Sequence, residues 1–325
     1  GATMRLWTYS DSCNMKHEGC CAESAVEDAR RVCDKLGIDF YVMNFKDIFK
    51  DKVVDYFVDE YIHGRTPNPC IACNKYLKFD ALLKKALAMG IDYVATGHYA
   101  KIEKGEDGKY ILRASEAVKK DQSYVLYNFT QEQLAHTLMP LGGYNKDWVR
   151  QKAEELGLGV AHKPDSQEIC FVEDDNYAKF ITDYSGYKPK EGDILDVNGN
   201  VIGKHRGLIY YTIGQRKGIG AYGRPMFVMK IDAENNTITL GEKGMEFSNE
   251  LTAYDVNFVS GEFPKENMLI TAKVRYQAPP AAAMLCPQKD GTVKLMFPEP
   301  QRAVTPGQAV VFYDGDIVLG GGTVL

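Results

Sequence analysis

The sequence predicts an α/β fold. A doubly wound parallel-sheet domain spans residues 1–174, a small β-rich central domain 175–246 and a C-terminal β-barrel 247–325. Three observations predict it. Apolar runs of strand length alternate with amphipathic helical runs through the first half, the rhythm of parallel strands joined by crossover helices. Helical periodicity stops after Tyr184. From Ser248 to Leu325, strands rich in β-branched residues follow at the short spacing of a compact Greek-key barrel.

Gly1 to Trp7 reads as the apolar interior of a strand with neither turn nor cap before it, so the chain is expected to begin partway through a fold. Ala22 to Leu36 places Ala22, Ala25, Val26, Ala29, Val32, Cys33 and Leu36 on one helical face and ends at Gly37, with Cys33 in the core stripe. Ile38 to Phe45 is a short strand and Asp47 to His63 a second helix closed by Gly64. A third helix starts at Cys70 or Ile71 and runs to Met89, ahead of Gly90. Ile91 to Thr96 is a buried-type strand that stops at Gly97-His98-Tyr99. Ligands of parallel sheets bind beyond the carboxyl ends of strands, so Met4 to Trp7, Thr96, Gly97 and His98 are expected to face one crevice. Lys104 to Gly108 is a hairpin tip with Tyr110 to Ala114 as its return strand, and Lys119 to Tyr124 is a charged, amide-rich loop. Helical patterns cover Gln131 to Leu138 and Lys146 to Leu156, and Cys170 sits in a polar stretch that Pro164 makes a loop or helix entry. Asp196-Val-Asn-Gly-Asn, Asp232-Ala-Glu-Asn-Asn and Tyr313-Asp-Gly-Asp mark hairpins between the later strands.

Composition narrows the class of protein. The 325 residues are 45% hydrophobic and contain no apolar run long enough to span a membrane, and no secretory signal opens them, which reads as a cytoplasmic protein. Eight cysteines in a chain this long do not make a secreted disulfide scaffold, so they are thiols, ligands or catalysts. A formal net charge of −5 argues against general nucleic-acid affinity. The segment Lys204 to Gly220 departs from that balance, with Lys204, Arg206, Arg216 and Lys217 set among glycines and tyrosines. It suits a phosphate backbone as well as it suits a charged hairpin face.

The densest chemistry lies in Gly64-Arg-Thr-Pro-Asn-Pro-Cys-Ile-Ala-Cys73. Pro67 and Pro69 stiffen the turn and push Thr66 and Asn68 into extended geometry, after which a helix begins. Cys70 and Cys73 then sit one turn apart at its head, where unpaired backbone N–H groups favour thiolate. Such a pair serves redox, zinc, iron–sulfur or nucleophilic chemistry.

Gly64-Arg-Thr-Pro-Asn-Pro, Cys73-Asn-Lys, Lys78-Phe79, Ala95-Thr-Gly-His-Tyr99, Lys120-Asp-Gln-Ser-Tyr124, Asp165-Ser166, Ile169-Cys-Phe171, Thr212-Ile-Gly-Gln-Arg-Lys-Gly218 and Val274-Arg-Tyr276 together resemble the tRNA-specific 2-thiouridylases, in order and over nearly the whole chain. The resemblance implies a PP-loop ATP-pyrophosphatase domain of the adenine nucleotide alpha hydrolase type, a small central tRNA-binding domain and a barrel. It implies replacement of the C2 oxygen of the wobble uridine, U34, by sulfur. ATP with Mg2+ adenylates that oxygen. The thiol at Cys170 carries a persulfide from a relay protein or cysteine desulfurase, and Cys73 attacks as nucleophile and then forms a disulfide with Cys170. The resemblance places Met4 and Gly97 on the nucleotide, and Asn68, Pro69, Cys70, His98, Lys120, Asp121, Gln122, Arg275, Tyr276 and Gln308 on tRNA, with the uridine flipped out of its stack near Asn68 to Cys70.

Two features depart from the family pattern. Its Ser-Gly-Gly-Val-Asp-Ser-Ser phosphate loop has no counterpart in these residues, so the chain is expected to start after that loop, to lack the first strand and helix and to bind ATP poorly. Cys70 stands where many members carry Asp, which gives Cys70, Cys73 and Cys170 the makings of a 4Fe-4S ligand set, a reading held level with the persulfide route. A second class of function also fits: a non-catalytic tRNA-binding protein whose three cysteines and His98 hold structural zinc. Cys13, Cys20 and Cys21 read as surface thiols and Cys286 as packing. His17, His63, His136, His162 and His205 read as ordinary polar or core residues.

Overall fold

The computed structural model describes residues 1–7, 23–117, 120–163, 169–172 and 175–325. The expectations for Cys13, His17, Cys20, Cys21, Lys119, Asp165 and Ser166 lie outside them. Strands β1 (Ala2–Arg5) and β2 (Tyr41–Asn44) pair in parallel, with Ala2 opposite Tyr41 and Arg5 opposite Asn44. Between them runs the helix Glu23–Leu36, stopped by Gly37 at φ +66. The alternation expected of the first domain is therefore present, with parallel pairing.

Two longer helices carry most of the core. The 46–62 helix widens its hydrogen bonding over Lys50–Asp55 and closes at Gly64, whose φ of +73 suits a residue without a side chain. Its Phe49, Val53, Val54, Phe57 and Tyr61 are buried on one side. The 69–88 helix lies between two cores. Ala72, Cys73 and Leu77 face the core of Phe49, Phe57 and Phe171, whereas Ile71 and Phe79 face that of Tyr124, Tyr127 and Phe129.

Strand β3 (Val94–Ala95) is shorter than the expected 91–96 run. The hairpin of β4 (Ala100–Lys104) and β5 (Tyr110–Ala114) follows, its turn at the expected place. The expected helix over Gln131 to Leu138 divides in two. A capping box on Thr130 and Gln133 starts the helix Gln131–Ala135, and the chain then extends as β6 (Thr137–Leu138), parallel to β3. Pairing with β3 outweighs the helical pattern at these last residues. The helix Tyr177–Ser185 packs Ala178 and Ile181 into the first core.

The central unit is a four-stranded sheet. Its strands β7 (Gly192–Leu195), β8 (Val201–His205), β9 (Met226–Asp232) and β10 (Thr237–Glu242) stand in the order β8-β7-β10-β9. Its core takes in Leu208, Tyr211 and Ile219, so part of the basic segment is interior. The barrel consists of β11 (Phe247–Phe258), β12 (Met268–Lys273), β13 (Ala281–Pro287), β14 (Val293–Arg302), β15 (Ala309–Asp314) and β16 (Ile317–Val324). Six antiparallel strands run in the order β11-β14-β13-β12-β15-β16, and pairing of β16 with β11 closes the ring. The connections from β11 to β12 and from β14 to β15 skip neighbours, as a Greek key requires. One feature was not anticipated: β5 of the first domain joins the outer edge of β16, Arg113 opposite Ile317, so the hairpin extends the barrel sheet.

Among the described residues no helix is long and apolar enough to cross a membrane.

Candidate functional site

The site begins with the turn before the 69–88 helix. Pro69 occupies the first helical turn, where its missing N–H costs nothing, and the Oδ1 of Asn68 caps the helix by accepting from the main-chain N–H groups of Cys70 at 3.1 Å and Ile71 at 3.3 Å. Asn68, expected as a tRNA contact, thus has its carbonyl oxygen engaged in holding Cys70 in place.

All three units grip this turn. From the barrel, the main-chain carbonyl of Pro306 accepts from Thr66 N–H at 2.9 Å, and Gln308 Nε2 donates to the Thr66 carbonyl at 2.8 Å. Gly307 comes so close that a Cβ there would stand 2.9 Å from the Thr66 nitrogen. From the central unit, Thr212 Oγ1 lies 3.5 Å from Thr66 Oγ1. Beside it the buried Glu60 carboxylate accepts from the Arg65 guanidinium, Nε at 2.9 Å. Gln308, expected on tRNA, is a latch between barrel and turn.

The helix start separates its two thiols by access. Cys70 is exposed, and Cys73 is buried at 8% exposure. The Cys73 N–H bonds to the carbonyl of Cys70, so the residues sit one turn apart. Cys170, 97 positions on, is half-buried and packs on the same core that contains Cys73. Its neighbour Phe171 anchors it, fully buried and edge-on to Phe49 at 5.6 Å and Phe57 at 5.2 Å, burial worth about 1.5–3 kcal/mol. The Val172 N–H bonds to the Ile169 carbonyl at 2.9 Å and makes Cys170 part of a turn.

A second group of expected residues gathers where the 120–124 loop meets the barrel. The Asp121 carboxylate accepts from the N–H groups of Ser115 at 2.9 Å and Ser123 at 3.2 Å, and from Ser123 Oγ at 2.7 Å. Gln122 accepts from Tyr99 N–H at 2.9 Å and donates its own N–H to the Tyr99 carbonyl, which ties the loop to Gly97-His98-Tyr99. Tyr276 Oη donates to the Asp121 carbonyl at 3.0 Å. Burial first, then the Asp121 carboxylate, holds the Tyr276 phenol pKa above its usual value. Lys120 opposes them and Cys70 adds slightly to them. Arg275 and Tyr276 sit in the bend just past β12, half-buried and exposed respectively.

Lys273, which the sequence reading did not single out, binds this group together. Its ammonium lies 5.9 Å from the ring centre of the buried Tyr124 and 5.7 Å from that of Tyr276. Burial pushes its pKa below the usual lysine value while Asp121 pulls it upward. The available signal was its place two residues before Arg275, on the strand leading into the motif.

His98 stands beside Phe79, ring centres 5.6 Å apart, with Nδ1 2.9 Å from Thr96 Oγ1. Burial, helped by the Lys78 ammonium, lowers its pKa to about 3, so the ring is neutral at physiological pH. Met4 and Trp7 lie against the first core, His98 against Phe79 of the second, and Gly97 is exposed, with β1 and β3 in separate two-stranded sheets.

Among the described residues no group of three His, Cys, Asp or Glu side chains is placed to hold a metal ion. Cys70 faces solvent while Cys73 points into the core, and His98 packs on Phe79, so neither an iron–sulfur set of Cys70, Cys73 and Cys170 nor a zinc set with His98 is assembled.

Comparison with known proteins follows the same division of the chain. Residues 1–174 match the tRNA methyl transferase HUP domain, 178–242 the tRNA methyl transferase PRC-barrel domain and 248–324 the aminomethyltransferase beta-barrel domain. The chain is 58% identical over 327 residues to the tRNA-specific 2-thiouridylase MnmA of Acetivibrio thermocellus, all of this chain against 91% of that protein. It is 56% identical to the MnmA of Clostridioides difficile and 55% identical to that of Clostridium beijerinckii, in each case all of this chain against 90% of the relative.

Proposed function

The chain belongs to the tRNA-specific 2-thiouridylase family, a family of sulfurtransferases, and from that membership we propose that it exchanges the C2 oxygen of the wobble uridine of tRNA for sulfur through Cys73 and Cys170. The observation that carries the reading is that these two cysteines, distant in sequence, belong to one packed core at the mouth of a turn held by all three units.

The C2 oxygen of uracil is a poor leaving group, and ATP with Mg2+ supplies the adenylyl group that turns it into departing AMP. Exposed Gly97, just past β3, and Met4 are the residues assigned to the nucleotide side. A persulfide on Cys170 attacks C2, AMP leaves, and a Cys170–S–S–C2 link forms. The Cys73 thiolate then attacks the Cys170 sulfur. A Cys73–Cys170 disulfide forms, and the 2-thiouridine leaves with the terminal sulfur. Half-buried Cys170 is open to a persulfide relay protein or cysteine desulfurase, and buried Cys73 is protected from stray oxidants.

The exposed ring of Tyr276, backed by Lys273 and set beside Cys70 and Lys120, is a stacking platform for the everted base or its neighbour. Neutral His98 hydrogen-bonds to Thr96 and contributes no charge to phosphate binding, a role left to Lys120, Arg275 and the basic central segment. A tRNA substrate would place the protein in the cytoplasm.

Mass spectrometry of nucleosides from wobble-uridine tRNA, treated with ATP and a persulfide donor, tests the reading. Cys73→Ser and Cys170→Ser should each abolish 2-thiouridine. Undiminished product with Cys170→Ser would overturn the route.

A further inference from the structure

We propose that Cys70 is the resolving thiol of the cycle: it takes over the disulfide left on Cys73 and so releases Cys170 for the next sulfur. The inference rests on the sulfur route above and adds a reacting group to it.

Three observations carry it. Cys70 and Cys73 are joined by a main-chain hydrogen bond across one turn. Residues so related in a helix have Cα atoms about 5 Å apart, inside the range of roughly 4.4–6.8 Å over which a disulfide closes. The two thiols also differ in access, Cys70 exposed and Cys73 in the core. Finally, the start of the helix is fixed by the Asn68 cap and the barrel latch, so the pair is presented in one arrangement.

The difference in access matters after sulfur transfer. In a disulfide between Cys73 and Cys170 the Cys73 sulfur lies inside the core, closed to a soluble reductant, and only the half-buried Cys170 sulfur is open to one. The Cys70 thiolate reaches the Cys73 sulfur from within the same turn. It attacks Cys73 Sγ, the Cys70–Cys73 bond forms, the Cys73–Cys170 bond breaks, and Cys170 leaves as thiolate. One disulfide is exchanged for another, so no electrons enter or leave. An external dithiol then attacks the exposed Cys70 sulfur and supplies two electrons, which returns Cys73 to the thiolate and itself becomes a disulfide. An aspartate at this position could perform neither step.

Oxidation of the full chain with diamide, alkylation and tryptic mapping tests the proposal without requiring catalysis. Cleavage after Arg65 and Lys75 places Cys70 and Cys73 on one peptide, Thr66 to Lys75, and Cys170 on another. The wild type should end with the first peptide lighter by two hydrogens and Cys170 alkylated. Cys70→Ser and Cys70→Ala, at an exposed position, should end instead with Cys73 crosslinked to Cys170. A wild type that ends in the Cys73–Cys170 crosslink with Cys70 alkylated overturns the proposal alone. Absence of that crosslink from both variants overturns the sulfur route and this proposal with it.

Discussion

Gln308, on the barrel, donates its side-chain amide across 2.8 Å to the main-chain carbonyl of Thr66, two residues ahead of the Asn68 cap. The sequence separation is large, yet the bond fixes the turn on which both cysteines of the C-x-x-C pair depend. The barrel therefore acts on the chemistry through geometry as well as through any contact with RNA.

Replacing Gln308 with Ala should loosen that turn. A lost hydrogen bond of this kind is worth about 1 kcal/mol, so amide exchange across 66–73 should quicken about fivefold, with thiolation slowed to a similar degree. Unchanged exchange at these amides would show that the latch contributes nothing.

Asn68→Ala removes a helix cap that serves two N–H groups. It should cost about 1 kcal/mol and lower the midpoint of thermal unfolding, whereas Asn68→Asp keeps an acceptor in place and should lose much less. Calorimetry on the two variants checks the difference.

Lys273→Met deletes the charge between Tyr124 and Tyr276 while keeping a long apolar stem. The cation–aromatic contacts are worth about 0.5–2 kcal/mol, and their loss should raise the KM for tRNA several-fold with kcat less affected. Lys273→Arg should restore most of the affinity. Steady-state kinetics on both variants separate a positioning role from general destabilisation.

His98 gives stability a pH dependence of known sign. Its pKa is about 3 when folded against 6.5 for the free residue, so below pH 6.5 the unfolded chain binds a proton that the folded protein does not. This contribution is complete above pH 6.5 and declines as pH falls from 6.5 toward 3. Melting temperatures recorded from pH 4 to 7 should drop less steeply for His98→Asn than for the wild type.

The sequence was legible where local pattern and tertiary structure agree. The 46–62 and 69–88 helices, their closing glycines and the Greek-key barrel all follow from periodicity and turn residues that the packing reinforces. Thr137 and Leu138 were misread because an amphipathic pattern cannot reveal that β3 offers them a parallel partner. The attachment of β5 to β16 was equally hidden, since pairing between strands 200 positions apart leaves no local trace. At the site, Asp121, Gln122 and Tyr276 were chosen from motifs, and hydrogen bonds tie Tyr276 to the Asp121 carbonyl and Gln122 to Tyr99. Lys273 was missed because a lone lysine on a strand looks like any solvated charge until the two tyrosine rings around it are seen. The different access of Cys70 and Cys73 was hidden too, since a spacing of three along a helix does not tell which thiol turns inward.

Gly307 meets Thr66 with no room for even a methyl group, and its backbone adopts φ +87. The two parts thus fit as a key fits a ward, and neither can be redrawn alone. A barrel grafted from another protein would need to carry a glycine at this point and a glutamine next to it, or the cysteine turn would seat in the wrong place.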